Sequence, residues 1–154
     1  MRDTKGKVVA VNGNMIGVRF EGIIALNEVG FVHVGEKKLK SEVIRIRGEE
    51  AQLQVFEQTK GIAIGDEVSF TGALLTVELG PGLLGQVYDG LQNPLPELAA
   101  KAGYFLERGV YLLPLPEEKR WDFTPVAKPG DRIVRADTLG TVPEGPFTHR
   151  IMVP

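Results

Sequence analysis

Hydrophobic and polar residues alternate over short stretches in the first half of the chain. An alternation with a period of two is typical of a β-strand that has one buried and one solvated face. AQLQV, residues 51–55, follows this pattern, and VIRIR, residues 43–47, predicts that Ile44 and Ile46 share the buried face. Four further stretches are strand candidates: GKVVAV, MIGVRF, FVHV and EVSF.

Turn-forming residues separate these stretches at short intervals, which predicts many short strands. The turns fall at Asn12-Gly13, Glu21-Gly22, Gly35, Gly48, Gly61, Gly65-Asp66 and Gly72. We expect residues 1–76 to form about six antiparallel strands that close into a small β-barrel, because closure removes exposed sheet edges. The predicted fold class is mainly β.

The character of the chain changes at Glu78, where glycine and proline become frequent. NPLPELAAKAG then predicts one helix of about two turns. Pro94 or Pro96 suits the first turn, Glu97 suits the positive end of the helix dipole, and Gly103 is a natural terminator. We therefore expect a crossing segment with a short helix over residues 77–103.

The pattern of apolar and turn-forming residues over residues 104–154 predicts a second, smaller β-rich unit. We expect YFLERGVYLLPL to form one or two strands, PEEKR an exposed turn, WDF a strand, and KPGDRIVRADTLGTV a strand pair opened by Gly130-Asp131. The chain finishes on HRIMVP, a strand-like apolar run without a polar tail. This ending leads us to expect that the natural polypeptide is longer.

Composition narrows the function classes. With 154 residues, 43% hydrophobic and 25% charged, the chain has the composition of a soluble globular protein. Its net charge of -2 and scattered lysines and arginines give no electrostatic reason to expect nucleic acid as a partner. The absence of cysteine excludes disulfides, thiolate nucleophiles and Cys-ligated zinc. No apolar run approaches the roughly 20 residues of a membrane span.

The stretch from Gly80 to Gly85 fits G-x-G-x-x-G and also the first part of a phosphate loop, G-x-x-x-x-G-K-[ST]. A phosphate loop requires Lys and then Ser or Thr after its second glycine, but Gln86 and Val87 stand there. A dinucleotide loop requires a long helix, which Gly90 and Pro94 interrupt.

An acid for the ribose is also missing about 20 residues further on, where Phe105 and Leu106 stand. We therefore predict a tight backbone crossing between two units, where glycines adopt conformations that other residues disfavour. The residues of this structural crossing are Gly80, Pro81, Gly82, Gly85, Asp89 and Gly90.

Other chemistry has little support, and we predict no catalytic, cofactor-binding or metal-binding residue. His33 and His149 are the only histidines and are expected to be ordinary satisfied side chains. Neither Ser41 nor Ser69 lies in a G-x-S-x-G elbow. Asp89 precedes a glycine and is expected to cap a turn. Glu49, Glu50, Glu117 and Glu118 lie in polar turns and are expected to be solvated.

PGDRIVRADTLGTV is similar to the hairpin of biotinyl and lipoyl carrier domains. In those domains a modified lysine projects from a turn after the second strand, but PEGPF follows Val142 here. Covalent carriage requires that amine, so a carrier role is disfavoured.

Five stretches together resemble one family. GPGLLGQVYDGLQNPL, FLERGV, EEKRWDFTPVAKPGD, LGTVPE and HRIMVP, in this order, resemble the N-terminal part of the catalytic A subunit, or alpha chain, of V-type and archaeal-type rotary ATPases and ATP synthases. The block around Trp121 is similar to an inserted region of that subunit, the bulge or non-homologous region. The sequence differs from the family where Asn93 replaces the usual Arg, where PEEKRW replaces a more charged run, and where Ala136 replaces the usual Gly.

The resemblance implies a hetero-oligomeric enzyme that hydrolyses or makes ATP, using Mg-ATP, coupled to H⁺ or Na⁺ transport. It implies neighbouring A and B subunits, and possible contact with a peripheral stalk, as partners, and a cytoplasmic location peripheral to the membrane. The family's phosphate loop and catalytic glutamate map onto no residue here. The resemblance thus implies an assembly role for these residues, which alone would be monomeric or weakly oligomeric. The alternative from the residues themselves is a free-standing OB-like β-barrel that binds nucleic acid through the aromatics Phe20, Phe31, Phe56 and Phe70.

Overall fold

The computed structural model describes residues 4–103 and 107–154. The chain divides into two compact units. The first unit consists of Met1–Thr76 together with Leu106–Val110, and the second of Val77–Phe105 together with Tyr111–Pro154.

The first unit is a closed, six-stranded antiparallel barrel, which confirms the predicted architecture. Its strands are β1 (Lys5–Asn12), β2 (Met15–Glu21), β3 (Glu28–Val34), β4 (Lys37–Arg47), β5 (Glu50–Val55) and β6 (Glu67–Leu74). They follow the order β1-β2-β5-β4-β3-β6, and pairing of β1 with β6 closes the barrel.

Within residues 4–103 and 107–154, twelve buried apolar residues form one cluster in the barrel interior. In β5 the predicted alternation holds, because Ala51, Leu53 and Val55 are buried. Phe20 and Phe70 meet edge to face with ring centroids 6.2 Å apart, a favoured geometry for aromatic pairs. Burial of such side chains stabilises the fold by about 1.5–3 kcal/mol each.

The expected burial of Ile44 is wrong. Val43 pairs with Leu53, but the next paired residue, Arg45, faces Gln52, so a β-bulge lies between them. The extra residue reverses the alternation. Ile44 is therefore exposed, whereas Ile46 packs against the core as expected.

Residues 107–110 belong to the first unit and contact the loop between β5 and β6. The Arg108 Nη1 donates to the carbonyl oxygens of Gln58, at 2.8 Å, and of Lys60. The backbone N–H of Gly109 donates to the Glu57 carboxylate at 2.9 Å. Residues 107–115 form no strand, so the predicted strands in YFLERGVYLLPL are wrong there, and 104–106 lie outside the described residues. Side-chain to backbone contacts replace strand pairing in this segment.

In the described part of the second unit there is one helix and a small sheet. The helix α1 spans Leu95–Ala102, with Pro96 in its first turn and Gly103 at its C-cap, as predicted. The sheet consists of β7 (Thr124–Pro125), β8 (Thr138–Glu144) and β9 (Phe147–Met152) in that order. Within the described residues, no helix has the length and apolar character needed to cross a bilayer.

Two strand predictions in the second unit need correction. WDF, residues 121–123, is not a strand, and β7 begins just after it. Residues 131–134 are also not a strand, because the Asp131 and Asp137 carboxylates accept the backbone N–H groups of Lys128 and Val134 in successive turns. The hairpin instead pairs β8 with β9, which confirms the strand-like reading of the final residues.

Candidate functional site

The candidate site is the glycine-rich segment from Gly80 to Gly90 in the second unit. Gly82 and Gly85 have φ angles of +108° and +78°, in the left-handed region that favours glycine. A Cβ atom at Gly80 would lie 3.0 Å from Leu115 Cδ1, and one at Gly82 would lie 3.4 Å from Trp121 Cζ2. Leu115 and Trp121 thus pack directly on the segment, and glycine permits the close approach.

The amide groups of this segment converge on a single carboxylate. The N–H groups of Gly82 and Leu84 donate to Glu144 Oε1 at 2.6 and 3.1 Å. His149 Nδ1 lies 3.0 Å from the other oxygen, Oε2. Converging backbone N–H groups in a glycine-rich loop are the arrangement that phosphate-binding loops use for an anion. Here the anion is a side chain of the chain itself.

Glu144 lies at the end of β8 and is buried, with an exposed fraction of 6%. Burial raises the pKa of its carboxyl group, but the amides of Gly82 and Leu84, together with His149, outweigh that effect. The pKa therefore lies below its ordinary value. Glu144 is consequently held as a carboxylate, which is the form that accepts all three contacts.

Asp89 organises the turn before the helix, as predicted. Its Oδ1 accepts the N–H groups of Leu91 at 2.9 Å and of Asn93 at 2.8 Å, and its Oδ2 accepts Asn93 Nδ2 at 2.8 Å. Asn93 is buried, and its Oδ1 accepts the N–H of Leu112 at 2.9 Å. Asp89 and Asn93 together fix the path of the backbone on both sides of α1.

The other predicted residues are more peripheral. Pro81 is half-buried, whereas Gly85 and Gly90 are exposed and a Cβ atom at either would have no neighbour within 4 Å. The structure therefore gives Gly80, Gly82 and Asp89 defined packing or hydrogen-bonding roles, but not Gly85 or Gly90.

Both histidines have hydrogen-bonding partners, as expected. His33 Nε2 lies 2.9 Å from Ser69 Oγ, and His149 contacts Glu144. Among the described residues, no group of three or more His, Asp or Glu side chains is arranged to hold a metal ion.

Glu144 and Asn93 make several of the hydrogen bonds that position the backbone at this site, yet the sequence alone did not identify them for this role. The contacts of Glu144 with the glycine-rich segment span 60 and 62 residues. No local spacing encodes such a contact. For Asn93, the departure from the usual arginine was the only signal, and its burial explains why a short amide fits there.

The residues of this segment do not fit Mg-ATP. Gln86 and Val87 occupy the positions where a phosphate loop carries its ammonium and hydroxyl groups, and both are exposed. The amides of Gly82 and Leu84 already hold a carboxylate that would repel a triphosphate.

Two family models match the chain. The model for the β-barrel domain of the ATP synthase alpha/beta family matches residues 8–72. The model for the barrel-sandwich domain of ATP synthase alpha/beta subunits matches residues 112–154. These ranges cover most of β1–β6 and the sheet of the second unit.

The chain is also similar to curated proteins along its entire length. It is 75% identical over 154 residues to the V-type ATP synthase alpha chain of Treponema denticola, and 67% identical over 154 residues to V-type ATP synthase alpha chain 1 of Treponema pallidum. Over 152 residues it is 61% identical to the V-type ATP synthase alpha chain of Borreliella afzelii. All of this chain is matched in the two Treponema proteins, but it spans only 26% of their length.

Proposed function

Because the chain belongs to the family of V-type ATP synthase alpha chains and spans about a quarter of the length of its relatives, we propose that these residues form an assembly portion of that subunit. The whole subunit would hydrolyse or make ATP, with Mg-ATP bound elsewhere in it, and couple this reaction to H⁺ or Na⁺ transport. The 154 residues themselves would bind no nucleotide and catalyse no reaction.

We call the backbone N–H groups of Gly82 and Leu84 the amide nest. The Glu144 carboxylate fills this nest, and this observation supports the proposal most directly. The N–H groups that could hold a phosphate donate to Glu144, which is buried. An ATP phosphate would have to displace a carboxylate that has three donors and would gain no lysine in exchange. We therefore assign Gly80, Pro81, Gly82, Gly85, Asp89 and Gly90 a structural role.

Titration calorimetry of the 154-residue chain with Mg-ATP tests the absence of a nucleotide site. The expected result is no binding up to 1 mM nucleotide, on the order of the weakest affinity usually measured for a specific site. Binding in the micromolar range would overturn the proposal. Glu144→Gln serves as a second variant, because weak binding that appears only in this variant would support the view that Glu144 fills the nest.

The proposed organisation follows the three segments of the chain. Residues 1–76 would form the assembly barrel, residues 77–103 the crossing and helix, and residues 104–154 part of the inserted bulge region. Neighbouring A and B subunits, with the peripheral stalk as a further candidate, would be the partners. The complex would lie on the cytoplasmic side, peripheral to the membrane.

Light scattering tests the assembly part of the proposal. The 154-residue chain alone should be a monomer or a weak oligomer, because a stable ring would need the larger interface of the complete subunit. A stable hexamer at micromolar concentration would contradict this expectation. The outcome does not depend on nucleotide binding, so the two tests can fail separately.

A further inference from the structure

Residues 107–110 contact two separate parts of the barrel, and we call these four residues the strap. The first part is the loop between β5 and β6. Arg108 Nη1 donates there to the carbonyl oxygens of Gln58, at 2.8 Å, and of Lys60. A guanidinium that binds two carbonyl oxygens makes charge-assisted hydrogen bonds with a defined direction. Arg108 therefore holds the strap against this loop.

The second part of the barrel is the start of β4, against which Gly109 packs. The φ angle of Gly109 is +75°, in the region that favours glycine, and a Cβ atom there would lie 3.2 Å from the Lys38 carbonyl oxygen. Its N–H donates to both oxygens of the Glu57 carboxylate, at 2.9 and 3.3 Å. Lys37 Nζ also lies 3.4 Å from Glu107 Oε2. The strap thus joins the loop after β5 to the first residues of β4.

The contacts of the strap are mainly polar and partly solvated. Glu107 is exposed, and the other three residues are half-buried, so none of the four belongs to the buried core of the barrel. The Lys37–Glu107 pair adds little, because water screens two largely exposed side chains. Segments with few buried apolar contacts open at a lower free-energy cost than core strands. The strap should therefore open while the barrel stays folded.

The place of the strap in the chain gives its opening a wider consequence. The chain leaves the first unit after Thr76, returns to it for the segment Leu106–Val110 and then leaves it again. While the strap is bound, the chain thus connects the second unit to the barrel at three places. Once the strap is released, only the connection after Thr76 remains. A connection through a few loop residues at one place acts as a hinge, so release should increase the freedom of the second unit.

We propose that the strap is a latch, with Arg108 as its main contact, that restrains the motion of the second unit relative to the barrel. In the closed state the strap is bound to the loop after β5 and to the start of β4. In the open state the barrel remains folded and the second unit is connected through Thr76 alone. This inference goes beyond the assembly role proposed above, which assigns no moving part to the chain, and it does not depend on that role.

Native-state hydrogen exchange of the 154-residue chain, measured by NMR, tests whether the strap opens by itself. The Gly109 amide should exchange more slowly than in an unstructured peptide. It should also exchange at least about tenfold faster than the Phe70 amide, which donates to the Thr4 carbonyl oxygen within the barrel. Arg108→Ala should accelerate exchange at Gly109 at least about tenfold and leave that at Phe70 within about twofold. Arg108→Lys, which keeps the charge but loses the planar fork, should give an intermediate acceleration.

Time-resolved fluorescence anisotropy of Trp121 tests the restraint on the second unit, because Trp121 is the only tryptophan and lies in that unit. Arg108→Ala should increase the amplitude of its segmental motion roughly twofold. The matched control is Arg47→Ala, which removes an exposed arginine of the same barrel outside the strap. This control should leave both the Gly109 exchange rate and the Trp121 anisotropy unchanged.

A pair of glycine variants tests the same latch without removing a charge. Gly109→Ala should also release the strap, because its Cβ atom would approach the backbone of Lys38. Gly13→Ala is the control, since Gly13 has a similar φ angle of +61° but a Cβ atom there would have no neighbour within 4 Å. Gly13→Ala should therefore leave the Gly109 exchange rate unchanged. Circular dichroism checks that every variant is folded.

Three results would overturn the latch. Equal exchange rates at Gly109 and Phe70 in the unmodified chain would show that the strap opens only when the barrel unfolds. An unchanged Gly109 rate in Arg108→Ala would remove Arg108 as the main contact. Faster exchange at Gly109 with unchanged Trp121 anisotropy would show that the strap does not restrain the second unit. All three leave the calorimetric and light-scattering tests of the assembly role unaffected.

Discussion

The two units differ in how many apolar side chains they bury. Of the fifteen buried apolar residues in the described part of the chain, thirteen belong to the first unit, and only Leu98 and Val142 belong to the second. Both units bury polar side chains that are hydrogen-bonded to backbone groups, namely Thr4, Glu28 and Ser41 in the first unit and Asn93 and Glu144 in the second. Of the nineteen exposed large hydrophobic residues among those the structure describes, twelve also lie in the second unit.

This difference affects how each unit is stabilised. Apolar burial has no preferred direction, whereas hydrogen bonds do. A barrel core is stabilised by the area it removes from water and tolerates many apolar sequences. A unit with two buried apolar side chains depends more on individual hydrogen bonds, and each has a specific geometry. The two units should therefore respond to different substitutions. Trp121, the only tryptophan, reports on the second unit by fluorescence, while far-UV circular dichroism is dominated by the strands of the barrel.

Truncation of the barrel core should have the largest effect. Leu53 is fully buried, so Leu53→Ala should lower the free energy of unfolding of the barrel by about 2–5 kcal/mol. Urea denaturation followed by circular dichroism measures this loss, and Trp121 fluorescence should shift less. Leu26→Ala, at a position 53% exposed in the same unit, is the control and should cost less than about 1 kcal/mol. Equal shifts of both signals would mean that the two units unfold as one.

Removal of the Glu144 charge should lower the stability of the second unit, as Leu53→Ala lowers that of the barrel. Glu144→Gln keeps the size of the side chain but weakens its bonds to Gly82, Leu84 and His149, which should cost about 1.5–3 kcal/mol. The Trp121 transition should move to lower urea concentration, and the barrel signal should change little. Glu117→Gln, in an exposed turn, is the matched control. An unchanged Trp121 transition would show that apolar packing, not the carboxylate, holds the segment.

The stability of the second unit should depend on pH because of the same carboxylate. Because the pKa of Glu144 is lowered in the folded state, its contribution is present above the usual value of 4.5 and is lost as the pH falls through the folded pKa. The difference in stability between the unmodified chain and Glu144→Gln should therefore be constant near neutral pH and shrink below about pH 4.5. Urea titrations at several pH values, monitored by Trp121 fluorescence, measure this difference in stability. A difference that grows on acidification would contradict the assigned direction.

Relief of backbone strain in the second unit should have a smaller effect of opposite sign. Ala136 has a φ angle of +69°, in the region where a Cβ atom is disfavoured, and it stands where the family usually has glycine. Ala136→Gly should stabilise the second unit by about 0.5–1 kcal/mol, after the greater flexibility of glycine in the unfolded chain is subtracted. A higher Trp121 midpoint is the expected readout. Ala99→Gly, inside α1, should be destabilising instead; a loss of stability in both variants would exclude relief of strain.

The sequence was sufficient to predict the barrel because its information is local. Alternation and glycine turns marked all six strands, and the exception at Ile44 arises from one inserted residue whose effect appears only once β4 pairs with β5. Helix α1 was equally predictable, since its proline start and glycine end lie within ten residues.

The second unit was predicted less well for two different reasons. The residues of GDRIV look like a strand by composition, but Asp131 and Asp137 bind nearby backbone N–H groups and hold turns there. For the candidate site, the missing lysine and hydroxyl were visible at Gln86 and Val87. The carboxylate that occupies the glycine-rich segment was not visible, because its partner amides lie about sixty residues away.

The smallest expected effect concerns a polar contact on the barrel surface. Arg19 and Glu50 pair across β2 and β5, with Nη2 and Oε1 2.7 Å apart, but both side chains are more than half exposed. Water and salt screen such a pair, so a double-mutant cycle with Arg19→Ala and Glu50→Ala should give a coupling of about 0.2–1 kcal/mol that falls as salt is added. A coupling as large as the effect of Glu144→Gln would remove the contrast between the units, because directional contacts would then stabilise the barrel as strongly as they stabilise the second unit. A small coupling would instead show that burial, and not hydrogen-bond geometry alone, gives the Glu144 contacts their strength.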